Sequence, residues 1–168
     1  IMSRADPDKV YVSFERDGYT LEELRAACDE ARRQGLGTGA HAATAGSVIT
    51  AVRAGIDTVE HGTYMNSEAA RVLTDSDAVY VPTVSTVFNR ILHGRRDGWP
   101  DYVLRWAVYD AEPWFAALRL AREYDLKVAT GTDAGGDMYL EMCLLERAGF
   151  SRQDVLEAAT GVAAETLL

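Results

Sequence analysis

Apolar positions recur along this chain in short bursts of two different periods. Between residues 20 and 35, Leu21, Leu24, Ala27, Cys28 and Ala31 fall on one face at helical spacing. Thr20 and Glu23 form the signature of a capping box at the start, and Gly35 supplies a left-handed stop. Residues 37–42 are short and light in side chains and predict a buried strand. Ala45–Ala54 predicts a second helix, with Val48, Ile49 and Val52 inward and Gly55 as its stop. Residues 56–61 predict the next strand, and Asn66 or Ser67 opens a helix through Leu73. A third strand is expected over 78–84, with Pro82 at its end because proline cannot donate to a ladder. Residues 85–100 read as a long connection containing Gly and Arg. Residues 101–124 are helical by pattern, with a break expected at Glu112-Pro113. A fourth strand is expected over 127–132, followed by helices over 138–148 and 152–168, the second capped by Ser151.

Strands and helices thus alternate four times with short turns, the pattern of parallel βα units and an α/β fold. Composition adds little to this but excludes much. The 168 residues are 48% hydrophobic and 26% charged, values of an ordinary folded domain. No apolar run approaches the roughly 20 residues of a bilayer span, and no apolar core follows a basic start. The expectation is a cytoplasmic chain with no membrane partner. The net charge of −9, from 26 acidic and 17 basic residues, argues against a nucleic-acid surface. Cys28 and Cys143 sit inside apolar helical patterns and read as two small buried thiols rather than a disulfide or a metal site.

In parallel α/β folds the carboxyl ends of strands converge on one rim, where function sits. Three of the four expected strands end with a possible metal ligand: His41, His61 and Asp133. A single His beside a strand is usually a satisfied structural residue. Two at equivalent strand ends, with a carboxylate at a third, suit Zn²⁺ or a similar divalent ion. Gly131, Gly135 and Gly136 flank Asp133 and serve either close substrate approach or a tight turn; the stretch lacks the pattern of a phosphate cradle. Strand alternation aims Glu60 away from the side that His61 faces, which predicts a structural role for it. His93 lies in the long connection with Arg90, Arg95 and Arg96, where substrate-carboxylate binding competes with a solvated basic loop as the more ordinary reading. Trp99, Trp106 and Trp114 are expected to pack in the core or an interface.

The order of Gly-Ala-His41-Ala, then Val-Glu-His61-Gly, then Val-Pro-Thr83, then Gly-Thr-Asp133-Ala-Gly resembles the second half of a metal-dependent amidohydrolase. The nearest branch is the imidazolonepropionase-like and Xaa-Pro dipeptidase-like group. Leu-Glu-Arg-Ala-Gly149-Phe-Ser and Val155-Leu-Glu-Ala-Ala-Thr160 resemble that family's stretch after its last barrel strand. The resemblance implies the second half of a TIM (β/α)₈ barrel, residues 1–168 supplying strands five to eight. It implies that His41 and His61 bind metal and that Asp133 both binds metal and carries the proton. The family's His-x-His and its bridging carboxylated lysine have no match here: Lys9 is not in that context, and Ile1-Met2-Ser3 resembles the family's residues just after that lysine. A complete barrel takes about 250 residues, so this chain is expected to be a segment, without the N-terminal half or the accessory β-domain. The implied activity is metal-dependent hydrolysis of amide-type C–N bonds in a small peptide or cyclic amide, with one or two Zn-like ions. The isolated segment is expected to be inactive, and its expected partner is the missing half of the barrel or a second copy. Lactone or phosphoester hydrolysis on the same metal site, or a non-catalytic α/β assembly module, are the alternatives.

Overall fold

The computed structural model describes residues 18–167; Lys9 and Ile1-Met2-Ser3, which bear on the lysine question, lie outside them. Helix α1 (Leu21–Arg33) opens on the expected capping box, with Thr20 Oγ1 accepting from Glu23 N and Glu23 Oε2 accepting from Thr20 N. Strand β1 (Gly39–Thr44) leads into α2 (Ala45–Ala54), capped by Thr44 and closed by Gly55 in the left-handed region. Strand β2 (Thr58–Tyr64) leads into α3 (Ser67–Thr74), whose first amides are taken by Asn66 Oδ1. Strand β3 (Val79–Val81) is followed by α4 (Ser85–His93) and the long α5 (Asp101–Glu123). Helices α6 (Met138–Arg147), α7 (Arg152–Ala159) and α8 (Gly161–Leu167) complete the described chain.

The sheet is parallel, in the order β1-β2-β3. Its helix-covered face carries Ala42, Val59 and Tyr80, all buried, against α2 and α5. Val48, Ala51, Ala69, Ala70 and Leu73 fill the layer between α2 and α3, and Ala117, Leu118 and Ala121 bring α5 onto the same core. The opposite face is more open. There Gly39 pairs with Thr58, which pairs with Val79, and His41 pairs with Glu60, which pairs with Val81. Of the two cysteines, Cys28 is buried and Cys143 only half-buried; both are free thiols. Among the described residues no helix is long and apolar enough to cross a membrane.

Six expectations are corrected. The first two strands run later than 37–42 and 56–61, so His41 and His61 lie inside them rather than at their ends. The third strand is three residues, not seven, because Pro82 and the left-handed Thr83 end the ladder. The expected fourth strand is a single bridge: Lys127 O accepts from Tyr80 N at 2.9 Å, Ala129 N donates to Tyr80 O at 3.0 Å, and pairing stops there. The 85–100 connection contains α4, while α5 runs through Pro113 without a break. The last helix divides at Thr160, so residues 152–168 are α7 and α8.

Candidate active site

His61 belongs by register with Ala42, on the helix-covered side of the sheet. Its backbone is left-handed, with φ 76°, and this breaks the alternation. The ring turns to meet His41, with centroids 4.3 Å apart and planes at 69°. Gly62 continues the left-handed turn at φ 55°, and a Cβ there would stand 2.7 Å from the Tyr80 ring. Tyr80 fixes the turn by donating its hydroxyl to His61 O at 2.8 Å. The expectation that Glu60 and His61 face apart is therefore corrected. Glu60 lies beside His41 on the open face, and burial pushes its carboxyl up, with Asp133 adding in the same direction.

The tautomer of His61 follows from one hydroxyl proton. Thr83 Oγ1 donates to Pro82 O at 2.7 Å, so it has no proton left for the His61 Nδ1 that stands 2.7 Å away. Nδ1 therefore carries the hydrogen and donates, and Nε2 presents its lone pair. Burial holds the His61 ring down at about 4, with the nearby His41 acting in the same direction, so the ring is neutral at ordinary pH. Desolvation also keeps His41 below the usual imidazole range, while Asp133 pulls the other way.

Thr83 makes that contact from a strained backbone: φ is 53°, rare for a β-branched residue. The segment around it is fixed from two further sides. Trp114 Nε1 on α5 donates to Pro82 O at 2.6 Å, and its ring stands 6.0 Å from that of His61. Glu141 on α6, fully buried, accepts from Val84 N at 3.1 Å and Ser85 N at 2.6 Å. It thereby caps α4, which has no side-chain cap of its own. Burial pushes this carboxyl up to about 7, against hydrogen bonds from Ser85, Val84 and Thr83 that favour the anion.

Asp133 stands exposed on the third corner, again left-handed at φ 49°. Three of the four non-glycine residues with positive φ among the described residues are thus His61, Thr83 and Asp133. Strain of this kind gathers at functional sites. The flanking glycines serve the turn: a Cβ at Gly136 would meet Thr132 O at 2.0 Å, and one at Gly131 would meet Val81 Cγ1 at 2.5 Å.

Two imidazoles in edge contact, one with its Nδ1 tied to a hydroxyl, are the donor set and supporting contact that a borderline divalent ion takes. Asp133 acts electrostatically on both rings. Among the described residues, however, no three His, Cys, Asp or Glu side chains are gathered closely enough to hold an ion. These residues fit part of a divalent-metal shell and do not by themselves close it.

A partly buried pair borders the site. Tyr64, at the end of β2, donates its hydroxyl to Asp110 Oδ1 on α5, while Asp110 Oδ2 is buried without a partner among the described residues. Burial pushes the Asp110 carboxyl up to about 6 from 3.8, against the Tyr64 hydrogen bond. Between these values the unfolded chain has released the proton and the folded chain still holds it. Stability therefore falls as pH rises from about 4 to about 6 and levels off above, by at most roughly 3 kcal/mol from this group. Asp110→Asn is expected to remove that slope, read as the change in urea-unfolding free energy between pH 4 and pH 7. Parallel pH dependences in the two proteins would contradict the assignment.

Of the three tryptophans only Trp114 is buried, and His93 ends α4 on the surface with Arg95 and Arg96 exposed beyond it. The solvated reading holds for those three residues, with His93 in a helix rather than a loop, but not for Arg90, which is half-buried. Sequence reasoning assigned no role to Asp110 or Glu141, quoted Thr83 only within the family resemblance, and expected packing alone of Trp114, which is buried. The available signal for two of them was a carboxylate on an apolar helical face: Asp110 between Ala107 and Trp114, and Glu141 between Met138 and Leu144-Leu145.

A parallel sheet whose first two strands carry a contacting pair of histidines, with left-handed backbone at His61, Thr83 and Asp133, defines an α/β protein with a candidate site on one side of the sheet. The amidohydrolase family pattern matches residues 13–167, and the chain belongs to that family. It is 29% identical over 147 residues to an uncharacterized protein of Mycobacterium tuberculosis, covering 81% of this chain and 38% of that protein. It is 29% identical to the ochratoxinase of Aspergillus niger, covering 84% of this chain and 30% of the enzyme. Among solved structures, a prolidase complexed with N-methylphosphonate-L-proline superposes with a TM-score of 0.82 at 28% identity, over 92% of this chain and 39% of that one. A Xaa-Pro dipeptidase with methionine bound in its active site gives 0.80 at 28% identity, over 94% and 40%. The chain thus spans well under half the length of these relatives.

Proposed function

We propose that the chain supplies strands five to eight of an amidohydrolase barrel and part of a metal centre that hydrolyses amide-type C–N bonds in small peptides or cyclic amides. The observation that carries this reading is the His41–His61 contact, with His61 Nδ1 engaged by Thr83, which leaves Nε2 as the nitrogen that would serve as a ligand. Family membership supports the class of bond. The bound methionine of the dipeptidase and the proline-derived ligand of the prolidase support small, amino-acid-like substrates.

In this reading His41, His61 and Asp133 would hold a Zn²⁺-like ion together with ligands outside the described residues. Such an ion, when bound, supplies polarisation of the scissile carbonyl and lowers the pKa of a water toward about 7. Asp133 accepts the proton of the attacking water on a carboxylate oxygen. The water oxygen bonds to the carbonyl carbon, the C–N bond breaks, and Asp133 returns the proton to the leaving nitrogen. Thr83 keeps His61 in one tautomer throughout, and Trp114 covers that ring from the helix side.

The test uses the intact protein, stripped with a chelator and reloaded with Zn²⁺, against a dipeptide, an N-acyl amino acid, a lactone and a phosphotriester. Metal-dependent cleavage of the amide members is expected. Turnover of the lactone or phosphotriester alone would move the activity to another bond, and no turnover of any amide with any divalent ion would refute the reading.

A further inference from the structure

We propose that Arg90 anchors a carboxylate-binding subsite beside the His41–His61 pair, so that the molecule bound there is an amide carrying a free carboxylate. The inference rests on the hydrolytic reading above and names its substrate class.

Arg90 differs from the other arginines near it. Its guanidinium carbon lies 5.2 Å from the centroid of the Trp99 ring and 5.8 Å from that of Trp106. Two indoles hold a planar cation in a way that a solvated loop arginine is not held. The Nε of Arg90 is buried with no hydrogen-bond partner among the described residues, and so is Nε1 of Trp106. Buried polar groups are nearly always satisfied, and each orphan costs desolvation energy. Here both orphans are donors, both belong to the same cation–indole cluster, and Arg90 makes no ion pair among the described residues. What is missing is a negatively charged acceptor with more than one oxygen, and a planar carboxylate matches the guanidinium fork.

The fold aims this cluster at the reacting rim. Thr86, Asn89 and Arg90 share one face of α4 by their spacing. Thr86 Oγ1 donates to Ala134 O at 3.1 Å and Asn89 Nδ2 donates to Gly135 O at 2.7 Å. The face bearing Arg90 is therefore bonded to the turn that comes directly after Asp133. The other end of α4 begins two residues after Thr83, the residue that orients His61. Arg90 lies within electrostatic reach of both His61 and Asp133. A carboxylate gripped by Arg90 fixes one end of a small amide while the histidines and Asp133 face its reacting bond.

The experiment titrates the intact protein with N-acetyl-L-alanine and with N-acetyl-L-alaninamide, which differ in the carboxylate. Binding is followed by tryptophan fluorescence and by the Arg90 Nε–H resonance in ¹⁵N NMR, assigned by its loss in Arg90→Lys. The acid is expected to bind about 10- to 100-fold tighter than the amide, the range of a charge-assisted hydrogen-bonded pair. It alone should shift the Arg90 resonance. Arg90→Met should abolish the preference while leaving amide binding within about twofold. Trp106→Phe, which keeps a ring but removes the N–H, should weaken acid binding severalfold with an unchanged circular dichroism spectrum. Equal binding of acid and amide, an Arg90 Nε–H unmoved by the acid, or equal loss of both ligands in Arg90→Met would overturn the proposal. Acid-selective binding without hydrolysis of any amide would leave the subsite standing and refute the hydrolytic reading. Hydrolysis of acid and amide with equal kcat/KM would do the reverse.

Discussion

Asp133→Asn in the intact protein is expected to lower kcat for amide hydrolysis by about 10²- to 10⁴-fold, the usual weight of a general acid–base group. The substitution is chosen for its backbone. Asp133 sits at φ 49°, a conformation that Asn adopts as readily as Asp, so the turn is expected to survive. The amide keeps one oxygen that can face a cation but cannot take a proton. Because the proton moves only on the way to the transition state, kcat and kcat/KM should fall together while bound metal stays near its wild-type level. Near-normal turnover with metal retained would remove Asp133 from the proton path. Loss of metal in step with activity would instead make it chiefly a ligand.

The largest expected effect on stability belongs to a residue with no part in the chemistry. Glu141→Leu is expected to cost about 2–4 kcal/mol, because two buried amides of α4 lose their acceptor together with the only side-chain cap of that helix. For a chain of this size that is roughly 5–15 °C in Tm. Glu141→Gln should cost less, since one carbonyl oxygen remains, while its NH₂ opposes the second amide. The loss should also reach the site, because Val84 and Ser85 come directly after Thr83, whose hydroxyl receives His61 Nδ1–H. A histidine side-chain ¹⁵N spectrum should then show His61 losing its single tautomer. Urea unfolding of Glu141→Leu within about 0.5 kcal/mol of wild type would mean that α4 is capped by another group.

Local chemistry made much of this legible before any coordinates. The caps at Thr20 and Ser151 and the glycine stop at Gly55 lie within a few residues of the helix ends they fix. The pairing of His41 with His61 was legible as well, because the two come together across neighbouring parallel strands. The hidden features depend on distant partners. Helix α4 begins without a cap in its own sequence, and its cap arrives from Glu141, 56 residues on from Ser85. Helix α5 passes through Pro113 because buried Ala107, Trp114, Ala117 and Leu118 seat both halves on the same core. The carbonyl left without an amide belongs to Tyr109, which is exposed to water. The orientation of Glu60 was misread because periodicity assumes an extended backbone, and the left-handed turn at His61 leaves no mark in hydrophobic alternation. Asp110 and Glu141 were visible only as charges on apolar faces, a signal that marks burial but does not name the partner.

His41, His61 and Asp133 must face one cation if the hydrolytic reading is right. Anomalous diffraction at the zinc edge, from crystals of the intact protein grown with Zn²⁺, locates that cation without reference to activity. The expected peak lies between the two imidazole rings, with His61 Nε2 at about 2.0–2.1 Å from it and the Asp133 carboxylate beside it. A zinc-loaded crystal whose only peak lies away from both rings, or one in which His61 Nε2 donates a proton to a protein group instead, would overturn the shared metal centre.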